Sequence, residues 1–335
     1  MTINDLEISE NGIISVKQIS IQQPLCEEWM ETPLTYTGDF VRAIDPDFRQ
    51  FVSPAEARRL GKLLKRALAT SLSALSEGGI QNPDAIITGT GFGSIENTEL
   101  FLDALVREGE QMLKPTQFMQ STHNTASSLV GINTRSHGYN STYSQKGLSF
   151  DSALYDAWLQ FRLGKIENAL VGAHDEMSPV FSGFVSKAGH VKKGEICSEA
   201  AVSALLEADS GKQAMCTLKS VQILNRPTAQ ELSDVMAGIK ADAIITGRSG
   251  NPENDSWYSF LGNEVPQCSY KHLFGVNFSS SALGFYTAAC SLKAGRIPSV
   301  MNAGKGPVPC RSILLVNVVE GRHYSFTVLE AVCGK

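Results

Sequence analysis

Gly89-Thr90-Gly91-Phe92-Gly93 is the stretch of this chain that most invites a cofactor. It falls between an apolar run and a helical pattern, where a phosphate-binding loop would turn its backbone N–H groups toward an anion. The dinucleotide fingerprint also requires further glycine spacing and an acidic residue at the end of the next strand, and neither is clear in this sequence. The glycines therefore read as a tight turn that lets a helix pack close to a strand, and no cofactor is expected. Thiol chemistry is equally constrained. The seven cysteines (Cys26, Cys197, Cys216, Cys268, Cys290, Cys310 and Cys333) form no CxxC pair and are odd in number. Neither a zinc site nor a disulfide framework follows, and reduced thiols, mostly in the core, are expected.

The elements around these residues alternate between strand and helix. Ser53-Pro54-Ala55-Glu56 combines an N-cap serine, proline at the first helical position and glutamate at the third, which predicts one helix running to Gly78-Gly79. The strand DAIITG follows at Asp84 to Gly89, and the same six residues recur at Asp242 to Gly247. Helical patterns begin at Ser94 and Ser149, the latter leading into the apolar strand ALVGA; the second half offers a helix ending near Ala237, the second DAIITG and the helix SALGFYTAACSLKAG. Such alternation implies a buried, mostly parallel sheet layered with helices. A repeated hexapeptide over so long a period points to duplication of a half, with the first at 1–209 and the second at 210–335. No low-complexity linker separates them, so they are expected to share one packed body.

Composition narrows the function classes. A chain of 335 residues, 42% hydrophobic and 19% charged, can bury a large core. Its net charge of -5 disfavours a nucleic-acid partner. No apolar run approaches the roughly 18 residues of a membrane helix, and the N-terminus lacks the basic start and apolar stretch of a signal peptide. A cytoplasmic protein with no membrane partner is expected.

The stretch HNTASSLVGINTRSHGYNSTYSQKGLSFDSALYDAWLQFRLGKIENALVGAHDE resembles the heart of the beta-ketoacyl-acyl-carrier-protein synthases, in which an Asn-containing segment, a glycine, the nucleophilic cysteine, a helix and an "ALVGG" strand occur in that order. Pro83 to Gly93, Ser198 to Glu207 and Gly295 to Asn302 are similar to further segments of that family. The resemblance implies the thiolase-like fold, two duplicated α/β halves in a five-layered α-β-α-β-α sandwich, which would explain the repeat.

It also implies three losses. With Asn124, Gly138 and Gly164 as fixed points, the cysteine position falls on Gly147. Asn251-Pro252-Glu253-Asn254-Asp255 anchors the loop of the first catalytic histidine and places Gly247 at that histidine. Lys271-His272-Leu273-Phe274-Gly275-Val276 resembles the "KSMTGH" segment, retaining Lys271 but holding Val276 at the second histidine. A condensing enzyme needs a thiolate at a helix N-terminus, and donors for the enolate and the tetrahedral oxyanion. Gly147, Gly247 and Val276 supply none of these. Ser144 and Ser149 flank the vacant position, and His123 and His272 are the nearest histidines in the family frame. An alternative reading is therefore an acyltransferase or thioester hydrolase with a rebuilt serine–histidine site, which would need a base beside the serine.

Within this family, chain-length factors are ketosynthase-like subunits without the cysteine that pair with a catalytic ketosynthase. The YSQKGLSF pattern resembles the subgroup linked to aryl-polyene and flexirubin-type pigments, so such a role in fatty-acid or polyketide biosynthesis is the first reading. The "GFGG" loop of the family survives only as Val319-Glu320-Gly321. Arg58, Arg59 and Lys62 lie in a segment similar to the one that meets the acidic acyl carrier protein, with Lys65 and Arg66 extending a basic stripe at helical spacing. The segment Phe118 to Ser149, nearly uncharged, with small residues from Thr125 to Gly131 and the aromatics Tyr139 and Tyr143, is expected to bind a ketosynthase in a heterodimer or a second copy in a homodimer.

Overall fold

Strands β1 (Ile14–Gln22), β2 (Ala85–Gly89), β3 (Tyr139–Tyr143), β4 (Asn168–Asp175) and β5 (Ala200–Ala208) precede β6 (Cys216–Asn225), β7 (Ala243–Thr246), β8 (Gln267–Ser269), β9 (Ser312–Val319) and β10 (His323–Glu330). The computed structural model describes residues 13–22, 29–32, 36, 38, 40–208 and 214–332. The ten strands hydrogen-bond in the order β8-β7-β9-β10-β6-β1-β5-β4-β2-β3. Divided between β6 and β1, this is one five-strand order written twice. β1 and β6 meet over only Ile14–Leu218, Ser15–Thr217 and Val16–Cys216. The change of half expected around residue 210 lies in 209–213, outside the described residues.

The helices are α1 (Pro54–Ala57), α2 (Lys62–Gly78), α3 (Ile95–Glu108), α4 (Pro115–Ser121), α5 (Thr125–Thr134), α6 (Ser149–Arg162), α7 (Pro179–Lys187), α8 (Ala229–Gly238), α9 (Pro252–Ser256), α10 (Lys271–Phe274) and α11 (Ser280–Ala294). The layers follow from the alternation of each strand. Ala85, Ile87, Ala243 and Ile245 face the central core with residues of α6 and α11. Ile86 turns outward to α2 and α5, and Ile244 turns outward to Leu232 of α8. Helix, sheet, central helices, sheet and helix thus stack as the five-layered thiolase-like α/β sandwich.

The repeated hexapeptide does the same work twice. The Asp84 carboxylate accepts from the Glu167 and Asn168 N–H groups (2.9 and 3.1 Å), and that of Asp242 accepts from Arg311 and Ser312 (2.7 and 2.9 Å). Each fixes the entry of the parallel neighbour, β4 or β9. Thr88 bonds Thr142 of one edge strand, and Thr246 bonds the Cys268 carbonyl of the other.

The single helix expected from Ser53 is two. Ser53 and Glu56 form the full capping box of α1, but α1 ends at Ala57 and α2 restarts at Lys62. Gly61 stands at the restart. It holds extended backbone at the N-cap, and a Cβ there would lie 2.4 Å from Asn97 Nδ2, so a larger residue would push that side chain of α3 aside.

Candidate functional site

Gly147, Gly247 and Val276, the three positions expected in place of the family's catalytic side chains, come together around the start of α6. Gln145 to Leu148 lead into this helix through a tight turn, with Lys146 in the left-handed region at φ 53°. The Gly147 carbonyl accepts from Asn317 Nδ2 (3.1 Å), which also reaches Asp151 Oδ2 (3.0 Å). Ser325 donates to the other oxygen of Asp151 at 2.6 Å, and burial pushes this carboxyl above its usual range. Gly247 is buried behind Asn317 and Lys271: a Cβ there would lie 3.2 Å from Asn317 Oδ1 and 3.4 Å from Lys271 Cε. Gly147, Lys271 and Val276 line one narrow cleft with His190, Asn254, Trp257, Phe278 and Glu320.

The two glycine positions differ in what they could hold. A Cβ on Gly147 would meet only Val319, at 3.4 Å, an ordinary contact, so a β-carbon is accommodated there. A Cβ on Gly247 would lie 2.6 Å from the Tyr258 hydroxyl. Tyr258 is buried and its hydroxyl accepts from the Val318 N–H (3.1 Å). The tyrosine therefore occupies the volume that a residue at 247 would need. Val276 is held by backbone bonds to Ile196 and, through its carbonyl, to Ser198 (2.7 and 3.0 Å), and presents no donor side chain to the cleft.

Lys271 makes no ion pair within 4.0 Å among the described residues. Burial pulls its pKa below the usual lysine value, against the opposing pull of Glu195, Asp255 and Asp151. At the cleft mouth Lys146 pairs with Glu320 at 2.6 Å, and His190 Nδ1 stands 3.7 Å from the same carboxylate oxygen. Burial, then the Lys146 charge, lowers the His190 pKa. The cleft measures about 100 Å³. That is room for a few waters, well below the roughly 300 Å³ at which small-molecule pockets begin. An adjoining cleft of about 690 Å³ shares Lys146 and Glu320 and is lined by Ser144, Gln145, Leu148 and His323.

The residues named for a rebuilt serine site are not joined. The Ser149 hydroxyl accepts from the Gln145 N–H at 2.8 Å and lies 2.7 and 2.9 Å from the carbonyl oxygens of Lys146 and Thr90. Its bonds are local backbone bonds. Ser144 and His123 are exposed. His272 is turned away, its Nε2 donating to the Val300 carbonyl at 2.8 Å, and it lines a different cleft. Nor does a cysteine stand in: none lines the cleft, and burial pushes the Cys197 thiol up to about 11. Cys26 and Cys333 lie outside the described residues.

The glycine loop after β2 has a ligand, and it belongs to the chain. The buried Asp175 carboxylate accepts from the Gly91 and Phe92 N–H groups (2.9 and 3.0 Å), the Thr90 hydroxyl (2.9 Å) and the Ser279 hydroxyl (2.9 Å). An internal anion thus satisfies the donors that a phosphate would otherwise claim.

The basic stripe is corrected by the fold. Arg66 is buried, paired with Asp45 and with Glu199 (2.8 Å). Lys62 reaches Glu96 at 2.6 Å and Glu199 at 3.4 Å. Both face inward because α2 lies over the buried Glu199, and Lys65 covers the Phe48 ring at 5.3 Å. Arg58 and Arg59 remain exposed, in the turn between α1 and α2 rather than on a helix.

The family model for the beta-ketoacyl synthase N-terminal domain matches residues 28–244, more than half of the chain. The chain belongs to the beta-ketoacyl synthase family. No curated protein sequence matches it. Solved structures share its fold at low identity. A type II PKS acyl-carrier protein in complex with its ketosynthase bound to the hexaketide gives a TM-score of 0.79 at 14% identity, covering 96% of this chain and 100% of that one. The ishigamide ketosynthase/chain length factor gives 0.78 at 14%, covering 96% and 99%. A beta-ketoacyl synthase from Burkholderia phymatum STM815 gives 0.72 at 15%, covering 96% and 100%.

Against this family, sequence reasoning missed Tyr258, Asn317 and His190. Only Tyr258 left a trace, as an aromatic three residues after Asp255 in a polar loop.

Proposed function

We infer that this ketosynthase-like protein is a chain-length-factor-like subunit without condensing activity of its own. It pairs with a cysteine-bearing ketosynthase in fatty-acid or polyketide biosynthesis of the aryl-polyene or flexirubin type. One observation carries the reading: Gly147 stands just before α6 with room for a β-carbon, while the Tyr258 hydroxyl crowds the β-carbon position at Gly247. The helix terminus that would favour a thiolate is kept, and the groups that would use it are gone.

The surface supports a partner. β3 is an edge strand, bonded to β2 on one side. Beside it Ile132 is 74% exposed and, farther along, Met119 is 66% exposed, with Phe118 and Tyr139 also exposed. An open edge flanked by apolar side chains calls for a covering chain. The carrier protein is expected to meet Arg58 and Arg59.

The test is co-expression with a cysteine-bearing ketosynthase of the same pathway, followed by size exclusion and mass measurement. A stable heterodimer that Ile132→Asp disrupts is expected, together with no carbon dioxide release from malonyl carrier protein by this chain alone. A strictly monomeric protein that ignores the ketosynthase overturns the reading. So does a turnover that disappears in Ser144→Ala or Ser149→Ala.

A further inference from the structure

Lys271 and His272 are neighbours that face different clefts, and the second cleft differs in character from the first. It measures about 520 Å³ and opens at the C-terminal ends of the parallel strands β7 and β8, between Thr246 to Gly250 on one wall and Ser299 to Lys305 on the other. Crevices at this end of parallel strands are where α/β sheets admit ligands. The size falls within the range of small-molecule pockets.

Its lining holds Arg248, Lys305 and His272 and no aspartate or glutamate, in a chain of net charge -5. Arg248 is half-buried. Its guanidinium donates to Gln267 Oε1 (2.5 Å) and to the Tyr258 carbonyl (3.2 Å), and lies over the Tyr258 ring at 5.5 Å. All these partners are neutral, and among the described residues no carboxylate lies within 4.0 Å of it. Two neutral acceptors and a ring therefore fix a planar cation that forms no ion pair among the described residues. The nearby carboxylates point elsewhere: Asp255 accepts from the Ser249 N–H and Glu195 from the Ser249 hydroxyl and Asn254. Lys305 is exposed on the facing wall with no ion pair among the described residues. Half-buried Val300 gives the cleft an apolar floor, with Leu273 and Met301 buried beneath it.

We propose that this cleft binds a small organic anion, its phosphate or carboxylate head on Arg248 and Lys305 and its apolar body against Val300. Arg is the side chain suited to a two-pronged hold on either head group. The site is separate from the Gly147 cleft, so it stands whether or not the subunit role does.

The experiment is calorimetric titration of the full chain with hexyl phosphate, hexanoate, inorganic phosphate and hexanol. One-to-one binding of hexyl phosphate or hexanoate is expected, at least tenfold tighter than inorganic phosphate, and the tighter of the two names the head group. Hexanol is expected not to bind. Arg248→Gln should weaken binding by about tenfold and the exposed Lys305→Gln by about threefold. A melting temperature for each variant confirms folding, and Lys305→Gln, which breaks no internal contact, keeps the test independent of Arg248. Hexanol binding as well as hexyl phosphate, inorganic phosphate binding as tightly, or affinity unchanged in both variants overturns the proposal.

Discussion

The two halves spend the same strand on different ends. Up to the threonine, DAIITG behaves identically in both: the aspartate fixes the parallel neighbour, the alanine and isoleucines alternate between layers, and the threonine reaches the edge strand. They part at the ends of the neighbouring strands. By the register with β2 and β7, Ala173, His174 and Asp175 in the first half take the places of Asn317, Val318 and Val319 in the second. In the first half Asp175 enters the glycine loop and takes Ser279 of the second half, and Glu176 accepts from Leu63, Glu96 and Ser94 at the starts of α2 and α3. The second half has valines there and a tight hairpin, with Glu320 and Gly321 both at positive φ (54° and 63°). A duplicated scaffold thus carries its buried polar fastening in one half and its cleft wall in the other.

The largest expected effect comes from the glycine that ends each hexapeptide. A Cβ on Gly89 would lie 2.5–2.6 Å from the Ser149–Phe150 backbone, which cannot yield without moving α6. Gly89→Ala should destabilise by about 3 kcal/mol. Gly247→Ala meets a side-chain hydroxyl instead and should cost about 1–2 kcal/mol, reduced by about 1 kcal/mol in a Tyr258→Phe background. Urea melts of the four variants check this. Equal costs at both glycines, with no relief from Tyr258→Phe, would break the contrast between a backbone wall and a side-chain plug.

The second effect is a pH dependence carried by two neighbouring groups of the first half. Burial pulls His174 down to about 4 and pushes Glu176 up to about 7. Between those values and the unfolded ones the two act oppositely. From pH 4 to 6.5 the unfolded chain protonates at 174 and the native one does not, so His174 makes stability rise with pH, by about 3 kcal/mol over the window. From pH 4.5 to 7 native Glu176 holds a proton that the unfolded chain has lost, so Glu176 makes stability fall with pH by a similar amount. Relative to the parent, His174→Gln should therefore lose stability progressively as pH rises from 4.5 to 6.5, and Glu176→Gln should gain it. Parallel stability–pH curves for the parent and both variants would show that neither group is linked to folding.

How much of this was open to reading from the chain follows the distance over which each contact acts. Capping of α1 by Ser53 and Glu56, and the ends of α2 at Gly79 and α11 at Gly295, are local matters of propensity, and the sequence displays them. The duplicated sheet was legible because the hexapeptide repeats literally. The restart at Gly61 was not, since the side chain packed against it, Asn97, belongs to another helix. Helical spacing put Lys62 and Arg66 on one face but could not say that Glu199, more than 130 residues away, lies beneath it. The Asp175 anion in the glycine loop, 84 residues from Gly91, was hidden for the same reason.

The third effect tests the shared aspartates. Asp84→Ala and Asp242→Ala each remove a carboxylate that accepts from two backbone N–H groups, and each should cost about 1 kcal/mol at pH 7. Hydrogen bonds from Arg311 and Ser312 hold the Asp242 carboxyl below its usual range. Its contribution is present above the unfolded carboxylate pKa and is lost as pH falls through the depressed value, so the cost of Asp242→Ala should shrink toward pH 3. A large cost at one aspartate and none at the other would deny that the repeat does one job twice.

The smallest effect lies on the surface of the first half, where the cations divide into those that fasten and those that are free. Arg58→Glu with Arg59→Glu should leave stability within about 0.5 kcal/mol, because both side chains are exposed and paired with no carboxylate among the described residues. Lys62→Ala, by contrast, strips a partner from the fully buried Glu199 and should lower the melting temperature clearly. Binding of an acidic carrier protein should reverse that ranking: a few-fold loss in the double arginine variant at low salt, fading as ionic strength rises, since exposed charges steer encounter and are screened. Surface plasmon resonance across a salt series measures both. If the double variant binds the carrier protein as the parent does at every salt concentration, Arg58 and Arg59 are solvated surface and the carrier meets another face. If Lys62→Ala weakens binding without changing stability, the inward pairing of Lys62 is not what holds it.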